Sequence, residues 1–298
     1  MTTSVSVEQL YADIIADLQP YYDDAVLLPN PQLIATQFNI AGTSGNQINV
    51  PLTDAFDTAQ TVTTEGGSII GAQASPFAPT SANIVMVKRG IGTNVTEEAL
   101  EDGGLAVVRN AVLTRLSAGL AGATDGAGFA EMKSGYAATD YGVGGTDVNF
   151  TTNFVFSPEA IAYGAKREPI VTMFYDNDLD KHQFRGTVRN GFKTLRPLFG
   201  ARVISEKVIG AQTAASLTNI SKAVAGLRSA NAPGMLNGAY IAIIDPSLEY
   251  SIASQLNSVT ADAIGDLSVI GNRALLTGLI GQAAGCEFYR SNSLPDAS

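Results

Sequence analysis

His182 and Cys286 are the only histidine and the only cysteine among 298 residues, and they bound the chemistry open to the chain. A Cys–His nucleophile pair would have to be made of these two. His182 sits in FYDNDLDKHQF, which reads as a polar surface turn, and Cys286 in GQAAGCEFY, which reads as a buried, inert thiol at a strand start. A Ser–His–Asp triad would need the same histidine, and no G-x-S-x-G turn presents a serine. One cysteine also excludes an intramolecular disulfide and a multi-cysteine metal site. Asp176-x-Asp178-x-Asp180 imitates the opening of a calcium loop, but Lys181 stands where that loop needs glycine and Thr187 where it needs a bidentate glutamate. Gly126-Ala-Gly128 lacks the Gly-Lys pair of a phosphate loop. The acids Glu97, Glu98, Glu101 and Asp102 fall at a helix start, where they suit the helix dipole without any acid–base role. No catalytic, cofactor or metal residue is assigned, and the expectation is a protein that is not an enzyme.

Charge points to contact rather than catalysis. Only 15% of residues are charged and 45% are hydrophobic, so the surface is poor in charge and suits cover by partners. Net charge is −10, which argues against a basic groove for nucleic acid. The charges are also segregated. Residues 1–87 hold eight acids and no Lys or Arg, whereas residues 166–207 hold nine basic residues against five acids. Asp54, Asp57 and Glu65 on one side, and Lys166, Arg167, Arg185, Arg189 and Lys193 on the other, are therefore the candidate intersubunit contacts. No apolar run is long enough for a membrane span, and no secretory leader is visible.

The elements that would carry these residues follow from periodicity and breakers. Leu10, Ile14 and Leu18 predict a short amphipathic helix over 7–18, after which Pro20, Pro29 and Pro31 predict an extended segment. QINVPL over 47–52 and residues 59–64 read as strands, 65–80 as a loop tip, and 82–88 as the return strand. An arm of this kind has few large apolar groups to offset an ordering cost of about 1–2 kcal/mol per residue, so it needs a surface outside itself. Leu105, Val108, Val112, Leu116 and Leu120 predict a long helix, entered through caps within Thr93–Thr96 and weakened at Gly103 and Gly104. Further on, SPEAIAYGA predicts a helix start, 184–204 strands broken by Gly186, Gly191 and Pro197, 218–230 a helix, YIAII over 240–244 a buried strand stopped by Asp245-Pro246, and 248–256 another helix.

Several stretches together resemble the major capsid protein of tailed bacteriophages, the Hong Kong 97-type fold. They are NVPL, VTTEGGSI, IVMVKRG, NVTEEALED leading to LAGATDGAG, ISKAVAGLRSANAP with GAYIAIIDPSLEYSI, LIGQAAGCEFYRSNSLP, and FVFSPEAIAYGAKREP with GFKTLRPLFGARVI. The resemblance covers most of the chain. It implies an α+β fold with an N-terminal arm over 1–41, an extended β-loop over 42–92, a long spine helix over 93–125, a peripheral domain over 126–217, and an axial domain with its return strand over 218–298. In the family's usual order the FVFSPEAIAYG-type segment comes last. Here it precedes the axial segment, which reads as a circular permutation of Asn153–Ser205.

The function implied is a shell subunit, not a catalyst. The resemblance implies self-assembly into pentamers and hexamers of an icosahedral head around double-stranded DNA that is enclosed without specific binding. Decoration, scaffold and portal proteins are the implied partners, and the chain starts at Met1 without a long helical prodomain, so the scaffold is expected as a separate protein. The expected location is the virion, assembled in the host bacterial cytoplasm; no cofactor is implied. An encapsulin-type protein compartment is the alternative within the same fold, and a secreted adhesin or a hydrolase the alternative outside it. Some family members lock neighbours with a Lys–Asn isopeptide bond from the extended loop. The first lysine here is Lys88, so a shell without that cross-link is expected.

Overall fold

The structure is a computed structural model that describes residues 3–42, 45–52, 80–136, 140–142, 149–177, 180–207, 217–258 and 281–297. Helix α1 (Thr3–Ala25) leads into strands β1 (Thr36–Asn39), β2 (Gln47–Leu52), β3 (Thr80–Val85) and β4 (Val87–Thr96). A short helix α2 (Glu97–Gly103) and the 31-residue spine helix α3 (Leu105–Gly135) follow. Then come β5 (Asp140–Gly142), β6 (Phe150–Phe156), β7 (Ile161–Asp176), β8 (Lys181–Thr194), a 3-10 turn (Pro197–Phe199) and β9 (Gly200–Glu206). The chain closes with α4 (Leu217–Ser229), β10 (Tyr240–Ile244), α5 (Pro246–Ser258), β11 (Gln282–Ala283) and β12 (Cys286–Arg290).

Two sheets flank the spine. A four-stranded sheet has the order β1-β7-β8-β4, and a six-stranded sheet the order β11-β12-β10-β6-β9-β5. The antiparallel β2–β3 pair forms a third, two-stranded unit packed against the four-stranded sheet. Leu10, Ile14, Leu18 and Tyr22 of α1 recur every fourth residue, and all are buried against Val112, Leu113, Leu116 and Leu120 of α3. Phe184 and Val188 of β8 close that core from the sheet side. Further along α3, Phe129, Met132 and the capping Tyr136 enter a second core with Phe154, Phe156, Val203, Ile241, Ile243 and Ile252. Each such side chain contributes about 1.5–3 kcal/mol on burial, so the one helix is fastened into both cores.

Several sequence expectations change. Pro20 opens no extended segment but lies inside α1. Tyr22 is buried two residues on and its hydroxyl donates to Thr124 at 3.1 Å, so tertiary anchoring carries the helix past a backbone bond whose loss costs about 3 kcal/mol. The return strand expected over 82–88 is two strands, β3 and β4, and β4 runs on through Thr96. Thr96 is the helix cap, its Oγ1 accepting from the Ala99 amide at 3.2 Å. The helix expected over 93–125 therefore starts later, breaks at Gly104 (φ +71°), and runs on to Gly135.

SPEAIAYGA starts no helix. Ser157–Ala160 is a tight turn, with the Ala160 amide on Ser157 O at 2.9 Å, and Ile161 opens β7. Ile161, Ala162 and Tyr163 are buried in pairing with β8, which a helix would forfeit. Gly186 and Gly191 do not break β8, because side chains of α3 and the β3 backbone lie where their own would be. The expected strand over 59–64 and loop tip over 65–79 lie outside the described residues, as do most of the expected joints near 139–146 and 209–216. Asn153–Ser205 is no appended insertion, since β6 and β9 are inner strands of one sheet and β7 and β8 of the other. A division at 217/218 falls between strands that share the six-stranded sheet.

Candidate assembly surface

Where α1, the spine helix and β8 converge, a buried polar cluster replaces apolar packing. Thr124 Oγ1 accepts from the Tyr22 hydroxyl at 3.1 Å and from Asn190 Nδ2 at 3.0 Å. Arg89 Nη1 donates to the Asn190 carbonyl at 2.9 Å and also to its Oδ1. One residue on, Asp125 is 6% exposed and accepts the Leu27 and Leu28 amides, each at 2.9 Å. Burial pushes the Asp125 carboxyl up to about 6, with the two amide bonds pulling the other way. Burial likewise raises the Tyr22 and Tyr163 hydroxyls. Every member is engaged in holding the turn behind α1 onto the spine and the sheet. The sequence reading missed this cluster; its signal is a Thr-Asp pair inside an otherwise apolar and glycine-rich stretch of helix.

His182 is not on a surface turn. It lies in β8, 8% exposed, with Nε2 2.8 Å from Glu97 Oε1 and its ring 4.8 Å from that of Tyr175. The pair ties the β7–β8 hairpin to the start of α2. Cys286 opens β12, fully buried in the other core, and burial pushes its thiol up to about 12. The two residues required for a nucleophilic pair are thus held in different sheets. Among the described residues no group of three or more His, Cys, Asp and Glu is placed to hold a metal ion, and no helix is long and apolar enough to cross a membrane.

The nine basic residues of 166–207 sort into engaged and open groups. Lys181 pairs with Asp176 at 3.8 Å, Lys193 with Glu131 at 2.9 Å, and Lys207 with Asp296. Arg196 lies 5.0 Å over the Phe199 ring, and Arg202 donates to Lys133 O at 2.9 Å. Lys166 donates to the Gly45 carbonyl. Arg167 donates to Thr187 Oγ1 at 3.0 Å and Arg185 to Gln183 Oε1 at 2.9 Å, which leaves their charge uncompensated. Of the eight candidate contacts, Arg167, Arg185 and Arg189 come together on the face of the four-stranded sheet turned away from α3. Lys166 and Lys193 are tied within the chain, and Asp54, Asp57 and Glu65 lie outside the described residues.

Beside this face, a groove of about 350 Å³ separates the end of α1 from β7, lined in part by Gln19, Tyr22, Asp23, Tyr163 and Arg167. A second groove, of about 630 Å³, lies under the loop that carries Leu236, a side chain wholly in solvent. Both are open furrows without convergent reactive groups among their lining residues.

No family model and no curated protein matches the sequence. Solved structures do match. A chain of the bacteriophage JBD30 capsid decorated with minor capsid protein trimers superposes with a TM-score of 0.54 at 13% identity, covering 91% of each chain. A chain of the procapsid of the same phage gives 0.52 at 14% identity, over 89% of this chain and 95% of its own. The JBD30 capsid in a further structure gives 0.51 at 11% identity, over 89% and 90%. At such identities the likeness defines the fold. The chain has the architecture of these capsid chains, the Hong Kong 97-type fold.

Proposed function

We propose that this chain is the major capsid protein of a tailed double-stranded DNA bacteriophage, a structural subunit that assembles with copies of itself into an icosahedral head. The observation that carries the reading is a likeness running over about nine tenths of both chains to subunits of a phage capsid. Open furrows, a charge-poor surface and a segregated charge pattern are what a subunit covered on many sides requires.

Pentamers and hexamers are the proposed assembly units, formed in the host cytoplasm and carried in the virion. Scaffold, portal and decoration proteins are the proposed partners; decoration is supported by the minor capsid protein trimers on the JBD30 head. The peripheral and axial division, and the circular permutation of Asn153–Ser205, belong to the same proposal. Electron microscopy of the purified chain tests it: hollow shells are expected, and discrete monomers or dimers under all assembly conditions would sink it. Nuclease-resistant DNA inside native particles separates a viral head from an empty protein compartment.

A further inference from the structure

One end of the six-stranded sheet carries an apolar knob and an apolar furrow side by side. β6 stops there at Phe156, opposite Gly200 at the start of β9. The turns beside them are bonded together. The Ser157 amide donates to Phe199 O at 2.9 Å, and the Leu195 and Arg196 amides donate to Ala160 O at 2.9 and 3.2 Å. The knob is Leu198, 66% exposed, beside Arg196, whose guanidinium lies over its own Phe199 ring and meets no carboxylate among the described residues. The furrow is the one of about 630 Å³, walled in part by Pro158, Glu159, Pro233, Met235, Leu236 and Glu287. Both of its charges are negative, and among the described residues no basic side chain pairs with either. Leu236 is held out over it by a fixed turn. Gly238 has φ +74°, its amide donates to Met235 O, and the Met235 amide donates to Ala239 O, each at 2.8 Å. A leucine held rigidly in water gains by burial and has little conformational freedom left to lose.

We infer that two copies of the chain pair here about a two-fold axis, Leu198 and Arg196 of each seated in the furrow of the other, against Leu236 and beside Glu159 and Glu287. The inference rests on the shell reading above and names one contact within it. Charge complementarity selects a second copy as the occupant, because a leucine beside an uncompensated arginine is the complement of an apolar furrow with two carboxylates. Placement selects the symmetry. The Ser157–Ala160 turn walls the furrow through Pro158 and Glu159 and holds the knob through Ser157 and Ala160. Knob and furrow therefore belong to one patch, and a single half-turn brings each knob to the other copy's furrow. Such a self-complementary patch is what a two-fold contact requires, whereas a head-to-tail contact needs two separate surfaces.

Cysteine pairing tests the contact in the full-length chain, where the native Cys286 is buried and silent. Particles assembled from an equal mixture of the single variants Leu198→Cys and Leu236→Cys are oxidised and run on a denaturing gel without reductant. A linked dimer is expected from the mixture, at least tenfold stronger than from either variant alone. The chain carrying both substitutions is expected to stop at dimers, since a two-fold contact closes on itself; a ladder of trimers and beyond shows a head-to-tail contact and overturns the proposal. Arg196→Glu in the cysteine background is expected to weaken the dimer band at least tenfold while circular dichroism shows a folded subunit, and Glu159→Arg in the same chain to restore it. Particles that give no dimer, a band untouched by Arg196→Glu, or a loss that Glu159→Arg fails to restore each overturn the contact. If the wild-type chain forms no particles at all, the shell reading fails, and the same cross-link read on the soluble chain decides the contact by itself.

Discussion

Asp125 puts an ionised carboxylate where solvent is almost absent, and two backbone amides are its whole compensation. Its carboxyl is raised from 3.8 to about 6, so the folded protein binds a proton that the unfolded chain releases between those values. Stability from this group is therefore full below about pH 4 and is lost as pH rises through 6, by roughly 3 kcal/mol at about 1.4 kcal/mol per unit. Denaturant titrations of the dissociated subunit between pH 4 and 7 are expected to show that falling stability, and Asp125→Ala to flatten the component. At pH 7 the alanine variant also leaves the Leu27 and Leu28 amides unpaired, at a cost of about 2–4 kcal/mol, so wild-type stability there with an unchanged pH slope would refute the clamp. Little of this was legible in sequence. A lone acid in a helix looks like any solvated acid until the turn that covers it is known, and His182 misled for the same reason, because Glu97 is 85 residues away.

Elements whose signal is local came through, and those decided by tertiary pairing did not. QINVPL and YIAII are strands with the expected bounds, and α4 differs from its expected span by one residue at each end. Their apolar runs and breakers act within a few residues. The β7–β8 pair was misread because its glycines look like breakers, whereas each marks another element lying close. Gly191 is the sharpest case: an added Cβ would stand 2.2 Å from the Val85 carbonyl oxygen, in backbone that cannot swing aside as a side chain can. Gly191→Ala is expected to lift the β2–β3 hairpin off the sheet, uncovering Ile84 and Met86, and to cost about 1–3 kcal/mol. Faster amide exchange over Thr80–Val85 than over β9 would register the lift. Exchange unchanged in both would mean the hairpin is held from elsewhere.

At the scale of the whole molecule, residues 1–87 hold eight acids and no basic residue, whereas Arg167, Arg185 and Arg189 share one open sheet face. In the proposed shell, pairing between copies would reduce that imbalance at each contact and repeat around a closed lattice, so modest single contacts accumulate. Such contacts weaken as salt rises, since the screening length falls from about 10 Å at 0.1 M to about 3 Å at 1 M. Assembled shells are therefore expected to release subunits in 1 M salt far faster than in 0.05 M, with light scattering as the readout. The same logic fixes what happens when folding itself is abolished. Residues 1–87 contain no lysine, so the arm has no amine with which to form an isopeptide bond to a neighbour. Shells boiled in detergent should run as a single band at 31.0 kDa, whatever their age. A ladder of higher species would show a covalent lock from outside the arm, and with it shells indifferent to salt; a single band with salt-sensitive shells leaves charge and buried area as the forces that close the head.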